Sequence, residues 1–399
     1  MTGSRDDRAT WPIATWLALA SLALGSFAVV SSELLPMGVL PPLARDLGVS
    51  EGVAGQTVTM TALFAGLAAP SITLIIGRTD RKYVMLAVTG LVVASNLLAV
   101  LSSGFWGLLG ARVILGLAIG GFFALAGATI ARLVAMESFG SGMGVVFVGI
   151  SLATVVAPPL GALASDAWGW RAAFLGAAGI GLAAVALQGA CLPRVPAAAA
   201  TSPGALVGLV RRPSVRLGLV AGLLVVGGHF AGFTFLRPWL QTGAGLRPGA
   251  VAAILLVYGI ANIGGSALAG LIADRRLQAG FTGGSFLLGA SATGLVLVGA
   301  AFFPAMAFAA LWGLAFGAAP VLIQTWMGRA APDQMEAVGG LFLGVLQFSI
   351  ALGAIAGGSA LDMLGVRAPF LITAGCGVLA ALLVLGRVPA APQATATAD

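Results

Sequence analysis

Trp16-Leu-Ala-Leu-Ala-Ser-Leu-Ala-Leu-Gly-Ser-Phe-Ala-Val-Val-Ser-Ser-Glu33-Leu-Leu-Pro36-Met-Gly-Val-Leu-Pro-Pro-Leu43 is an apolar run interrupted by one ionisable side chain, Glu33. About 20 apolar residues cross a bilayer as an α-helix, so the run reads as a membrane span with a carboxyl well inside it. An ionised carboxyl at that depth costs at least roughly 2 kcal/mol. It must face a polar cavity, find a partner or hold a proton, and its stem is too short to reach the membrane surface across several helical turns. Glu33 is therefore the first candidate for function; a purely structural hydrogen bond is the alternative.

The rest of the chain has the same character. Of 399 residues, 59% are hydrophobic and 8% charged, and the mean hydropathy is +1.05; soluble domains carry about 25% charged residues. Long apolar runs containing Gly and Pro indicate helices rather than a β-barrel, whose strands would alternate with period two. The 59 glycines permit close backbone packing where lipid supplies no hydrophobic drive to associate. Cys191 and Cys376 stand far apart in apolar segments, which implies no disulfide framework, and no ligand spacing suggests a metal site. No cofactor is expected. There is no GxxxxGK[ST] phosphate loop, so ATP hydrolysis is not the energy source within this chain, and no HExxH or Ser/His/Asp arrangement marks an enzyme.

Apolar runs between charged or Pro/Gly-marked turns give twelve spans, centred near residues 28, 65, 92, 119, 150, 181, 227, 261, 291, 316, 348 and 377. An even number puts both ends on one side. Arg78, Arg81, Lys82, Arg132, Arg194, Arg211, Arg212, Arg216, Arg275, Arg276 and Arg329 fall on that side, whereas Arg45, Arg171, Arg237, Arg247 and Arg367 fall opposite. The bias makes both termini cytoplasmic. The net charge of +7 then reports orientation, not nucleic-acid binding. A Pro- and Ala-rich break with four arginines, Pro193 to Arg216, links two halves. The expected layout is a cytoplasmic tail at 1–13, a six-helix bundle at 14–192, a linker at 193–215, a second bundle at 216–387 and a tail at 388–399. The fold class is all-α membrane protein, twelve transmembrane helices in two pseudo-symmetric six-helix bundles.

The halves repeat. Gly161, Asp166, Gly169, Arg171 and Phe174 recur as Gly357, Asp362, Gly365, Arg367 and Phe370; Gly116-Leu-Ala-Ile-Gly120 recurs as Gly313-Leu-Ala-Phe-Gly317, and Arg132 as Arg329. A parallel repeat of six-span halves points to a transporter with its site between the halves near the midplane.

Several residues could serve such a site. Arg112, the second charge inside a span, lies within roughly two helical turns of Glu33 in depth at 1.5 Å per residue, so a direct or water-mediated contact is expected; movement between the two would load and unload a proton. The alternative is that Arg112 bonds only backbone carbonyls or a substrate anion. His229, the only histidine, sits in Gly228-His-Phe-Ala-Gly-Phe233 and corresponds to Ser32 under the repeat; it reads either as an interhelical hydrogen bonder or as a substrate or proton group. Gln56, Thr59, Phe122, Phe123, Phe233, Tyr258, Asn262, Gln324 and Gln347 are candidate substrate contacts, since amides pair with the edge of a flat heterocycle and aromatic rings stack on its face. Interhelical bonding is the alternative for each. At the cytoplasmic ends, Asp80-Arg81-Lys82, Arg132 and Asp274-Arg275 form a candidate conformational latch of carboxylates and cations.

These motifs resemble the major facilitator superfamily, in particular its proton-coupled drug and metabolite exporters: twelve spans in two halves, Asp80-Arg81-Lys82 after span two, Arg112 with Gly116 in span four, and the Gly/Pro set of span five. More narrowly, Glu33-Leu-Leu-Pro36, Ala44-Arg-Asp-Leu-Gly-Val-Ser-Glu-Gly-Val-Ala-Gly-Gln-Thr57, Thr79-Asp-Arg-Lys-Tyr-Val84 and Gly228-His-Phe are similar to bacterial purine ribonucleoside efflux pumps. The resemblance implies an inner-membrane antiporter, working as a monomer by alternating access, that exports purine nucleosides such as inosine, and related base analogues, in exchange for protons. Its partners would be the substrate, protons and the bilayer. A drug or sugar exporter is the alternative within the class, and a transporter-like sensor the alternative outside it.

Overall fold

The computed structural model describes residues 11–75, 79–135, 138–194 and 208–387, and all of its regular elements are helical. They run α1 Ile13–Leu47, α2 Glu51–Ile75, α3 Arg81–Leu101, α4 Phe105–Leu133, α5 Phe139–Trp168 and α6 Trp170–Cys191. The second half has α7 Pro213–Phe233, α8 Pro248–Ala273, α9 Arg275–Val298, α10 Phe302–Ala330, α11 Met335–Leu364 and α12 Ala368–Val384. Every expected span centre falls inside one of these helices. Eleven are long and apolar enough to cross a membrane, and α12 is shorter at 17 residues. The tails at 1–10 and 388–399, the middle of the linker at 195–207, and Gly77 and Arg78 lie outside the described residues.

The Asp274-Arg275-Arg276 segment closes the end of α8, and the chain turns into α9 where Arg276 leaves helical geometry (φ −133°, ψ 38°). One local feature differs from the sequence expectation. Between α7 and α8 the chain makes a short helical turn, Leu236–Pro238, and a π-helical turn, Trp239–Gly243; Arg237, read as a topological loop charge, is buried there.

The repeat is visible in the backbone. Gly169 and Gly365 end α5 and α11 at φ +85° and +91°, with ψ near 180°, a region essentially reserved for glycine. The Gly116/Gly120 pair brings α4 against the backbone of α2 at Thr61 and Ala65, and Gly313/Gly317 brings α10 against α8 at Tyr258 and Asn262. These stripes of small residues supply the close van der Waals packing on which helices in lipid rely.

The halves join along two seams, α2 with α11 and α5 with α8. Gly52 meets Gly358, Gly55 meets the ring of Phe235, Gly66 meets Phe348 and Val155 meets Gly259. Counting rise per residue, these contacts extend from the end carrying the α1–α2 and α7–α8 connections to roughly mid-depth. The apolar core of the second half continues through the seam into Val30, Leu34, Met37, Val58 and Ala153 of the first.

A methyl at Gly317 would collide with the carbonyl of Asn262, whereas Gly176 faces open space. Gly317→Ala is expected to cost about 1–3 kcal/mol by forcing α8 and α10 apart, and Gly176→Ala to leave stability unchanged; thermal unfolding of the two detergent-solubilised variants checks the difference.

Candidate functional site

Glu33 lies on α1 roughly 21 Å from the Leu47 end at 1.5 Å per residue, near mid-helix, as the apolar run implies. The residue is half-buried, and Gln347 of α11 is its polar neighbour from the opposite half. Oε1 of Glu33 is buried without a partner, and so is Oε1 of Gln347.

Arg112 approaches the same turn of α1 from behind. It is fully buried; Nη1 donates to the carbonyl of Ser32 (3.2 Å) and Nη2 to Ser95 Oγ (3.1 Å) and Asn96 Oδ1 (3.5 Å). The Asn96 amide donates to Ser32 Oγ (2.8 Å), and the guanidinium carbon stands 4.9 Å from the centre of the Phe174 ring. Neutral acceptors and one aromatic face thus hold the guanidinium inside the first half. Glu33 and Arg112 make no direct contact: they share a depth, but consecutive residues on a helix point about 100° apart, and Arg112 takes the side of Ser32.

His229 is enclosed by an aromatic box from α7, α8 and α10. Its ring stacks on Phe316 at 3.4 Å between centroids and on Phe233 at 4.9 Å. The Trp312 indole N–H donates to Nδ1 (2.9 Å), and Nε2 lies 3.4 Å from the Tyr258 hydroxyl. An indole nitrogen only donates, so Nδ1 must be an acceptor. The imidazole is then neutral, with its hydrogen on Nε2 facing Tyr258.

The remaining candidates separate by location. Gln56 lies against Gly358 across the α2–α11 seam, and Thr59 is buried with an unpartnered Oγ1. Phe123 is partly buried and packs against the cores of both halves. Asn262 is half-buried one turn from Tyr258, and Gln324 is exposed on α10. Phe122 does not face the seam: it is fully buried in the first half, beside Gly25. Phe233 and Tyr258 belong to the box around His229.

Several candidate latch residues bond to backbone of their own half. Asp80 caps α3 by accepting from the Lys82 N–H (2.9 Å), Arg81 donates to the Thr79 carbonyl (3.3 Å), and Arg329 donates to the Ala273 carbonyl (3.1 Å). Arg132 and Arg275 are exposed, and the side chain of Asp274 lies outside the described residues.

Among the described residues, two polar bridges between the halves lie at the α1–α2 end. Arg237 donates to Asp166 on α5 (2.6 Å) and to the Gly38 carbonyl of α1. Asp362, at the end of α11, accepts from Ser50 Oγ (2.6 Å) and from the Gly52 N–H (3.2 Å), the N-terminus of α2. Sequence reasoning used Asp166 and Asp362 only as marks of duplication. Their recurrence at one offset, each at the end of the fifth helix of its half, was the signal for a pair of cross-half bridges.

The sequence matches the Major Facilitator Superfamily model over residues 22–347. It is 36% identical to the purine ribonucleoside efflux pump NepI of Salmonella typhimurium, over 92% of both chains. It is 37% identical to the pump of that name from Escherichia coli O157:H7, over 89% of this chain and 90% of the relative. The fold resembles a bacterial homolog of the human lysosomal transporter Spinster (TM-score 0.73, 15% identity, 96% and 97% of the two chains). It also resembles the human organic anion transporter MFSD10 (TM-score 0.67, 19% identity, 93% and 99%). With this fold, a duplicated backbone and a polar site between the halves, the chain belongs to the major facilitator superfamily and is a transporter rather than an enzyme.

Proposed function

We propose that this transporter exports purine ribonucleosides such as inosine, and related base analogues, in exchange for protons. The observation that carries the coupling is Glu33, a half-buried carboxyl near mid-helix with no cation paired to it among the described residues. The substrate class follows from the efflux pumps to which nearly the whole chain is similar. Gln56, Asn262 and Gln324 offer amides for the edge of a purine and Phe123 a partly buried ring for its face.

In this reading the protein is a monomer of the bacterial inner membrane with both termini cytoplasmic, and the segments 14–192 and 216–387 rock against each other around the site. The α1–α2 end is then the outer one. Arg237–Asp166 and Asp362 on the N-terminus of α2 close it in the present state, and the Asp80-Arg81-Lys82 and Asp274-Arg275 clusters, with Arg132, serve the opposite state. Exchange requires the proton to favour one state and the substrate the other. Export of a neutral nucleoside against one proton moves one net charge inward, worth about 2.3 kcal/mol per 100 mV.

Inverted vesicles energised to an acidic lumen are expected to accumulate radiolabelled inosine and to lose it when a protonophore is added. Absence of uptake with the protein present overturns the substrate, and uptake indifferent to the protonophore overturns the coupling. Glu33→Gln is expected to keep inosine binding but abolish gradient-driven accumulation.

The outer closure has its own test. Asp362→Ala removes the cross-half cap of α2, and a helix cap is worth about 1 kcal/mol. In a background with Cys191 and Cys376 replaced, a cysteine at the buried Thr59 position is expected to react with an impermeant outside maleimide about fivefold faster when Asp362 is Ala. An unchanged rate means that Asp362 does not hold the outer end shut.

A further inference from the structure

The ten residues 231–240, which carry the chain from the last turn of α7 into the π-helical turn, are all buried. A helix at a protein surface buries one face; a stretch buried on every side is enclosed by protein, and here the walls come from both halves. Leu236, Trp239 and Leu240 belong to the apolar core of the second half. The Trp239 ring packs on Phe370 of α12 (5.7 Å between centroids) and against Gly299. Phe235 goes the other way. It is 0% exposed and lies in an apolar cluster built mainly by the first half, with Leu35, Val39 and Leu40 of α1 and Ala54 of α2. Arg237, two residues on, follows it to the Gly38 carbonyl and Asp166. The turn is thus anchored in one half and inserts one ring and one cation into the other.

The ring fills a notch that a glycine leaves. A Cβ on Gly55, one turn into α2, would stand 2.5 Å from Cζ and 2.8 Å from Cε1 of Phe235, closer than packed side chains come. The end of α7 aims the ring. Thr234 bonds its hydroxyl back to the Phe230 carbonyl (2.6 Å), and Phe235 then leaves helical geometry (φ −108°, ψ 16°).

We infer that Phe235 is the outer gate of the transport path, a bolt carried by the second half that seats in the Gly55 notch of the first. Thr59 is buried one turn deeper on the same face of α2, so the seated ring stands between it and the α1–α2 end. Parting the halves at that end has to withdraw the ring, because Trp239 and Leu240 hold the turn to the second half. The bolt differs in kind from the Arg237–Asp166 and Asp362 bridges beside it: they depend on charge, whereas its seating depends on shape. The inference rests on the reading that the α1–α2 end is the outer one.

The test is the rate at which an impermeant maleimide labels a cysteine at the Thr59 position. The reagent is added outside to right-side-out vesicles without substrate or gradient, with Cys191 and Cys376 replaced by Ala. Phe235→Ala removes the bolt and Gly55→Ala blocks its seat; each is expected to speed labelling about tenfold. If the alanine variant of Phe235 is not monodisperse, Phe235→Leu serves in its place. The paired variant Gly55→Ala with Phe235→Leu separates a gate from a mere packing residue. Leucine lacks Cζ and both Cε atoms, the ones that an added methyl would meet. The paired rate is therefore expected to return to within about twofold of that with native Gly55 and Phe235. A second reporter cysteine at Thr89, buried in α3, a helix of neither seam, is expected to stay unlabelled in every variant.

Unchanged labelling of the Thr59 cysteine in the single variants overturns the gate, and so does a paired variant that labels as fast as Gly55→Ala alone. Faster labelling of both reporters together overturns it as well, since the change is then a general loosening. Acceleration found only in inverted vesicles overturns the outer assignment. None of these outcomes depends on inosine or on Glu33, so the gate and the substrate reading fail separately.

Discussion

A polar group at the middle of a membrane protein must be satisfied by the protein itself or by a water-filled space, and this molecule meets that constraint unevenly. Arg112 carries a full charge into the first half and is quenched by Ser32, Ser95, Asn96 and the face of Phe174. His229 is quenched in the second half by Trp312 and Tyr258 and sandwiched by Phe316 and Phe233. Both sit inside a half and brace it. Glu33 alone of the three has no side-chain partner for its buried oxygen and is half-exposed, and so it is the group left to exchange with what enters the site.

The fold was legible because lipid leaves few choices. Apolar runs of about 20 residues have to be helices, and a duplicated chain announces itself through the glycines that set the closest helix contacts. Gly116/Gly120 and Gly313/Gly317 pack the same helices of each half in the same way. Depth was legible too, since rise per residue places Glu33 and Arg112 at one level. Azimuth was not. The side of α1 that faces α11 is set by packing over many turns, and a rotation of one residue separates Ser32, bound to Arg112, from Glu33, beside Gln347.

The cross-half bridges were hidden for a related reason. Arg237 and Gly38 are brought together by the docking of two halves, and nothing local to either stretch encodes the contact. An arginine after span seven reads equally as a topological charge, as Arg45 and Arg247 do. Only its burial separates it from them. The break between α8 and α9 was legible in Asp274-Arg275-Arg276; what composition did not show is that one residue, Arg276, leaving helical geometry is enough to make it.

The two bridging carboxylates occupy equivalent positions but meet different partners. Asp362 accepts from the N–H groups and hydroxyl at the start of α2, where a helix end carries partial positive charge; those contacts lie near the surface, and water can replace them at little cost. Asp166 meets a full guanidinium whose side chain is 1% exposed while its own is 27% exposed. Removing one partner of a buried ion pair costs about 3–5 kcal/mol, but separating a pair with one wet member into water costs less. This balance limits what the closure can be worth. Carrying a two-state protein from 1:99 to 99:1 takes about 5.5 kcal/mol of differential binding, so a seal much stronger than that would hold the outer end shut against any combination of proton and substrate. One half-exposed bridge and one helix cap are each of the size that a binding event can make or break, so the α1–α2 end, together with the seam of α2 with α11 and α5 with α8 that continues from it, can part and close again as proton and substrate exchange.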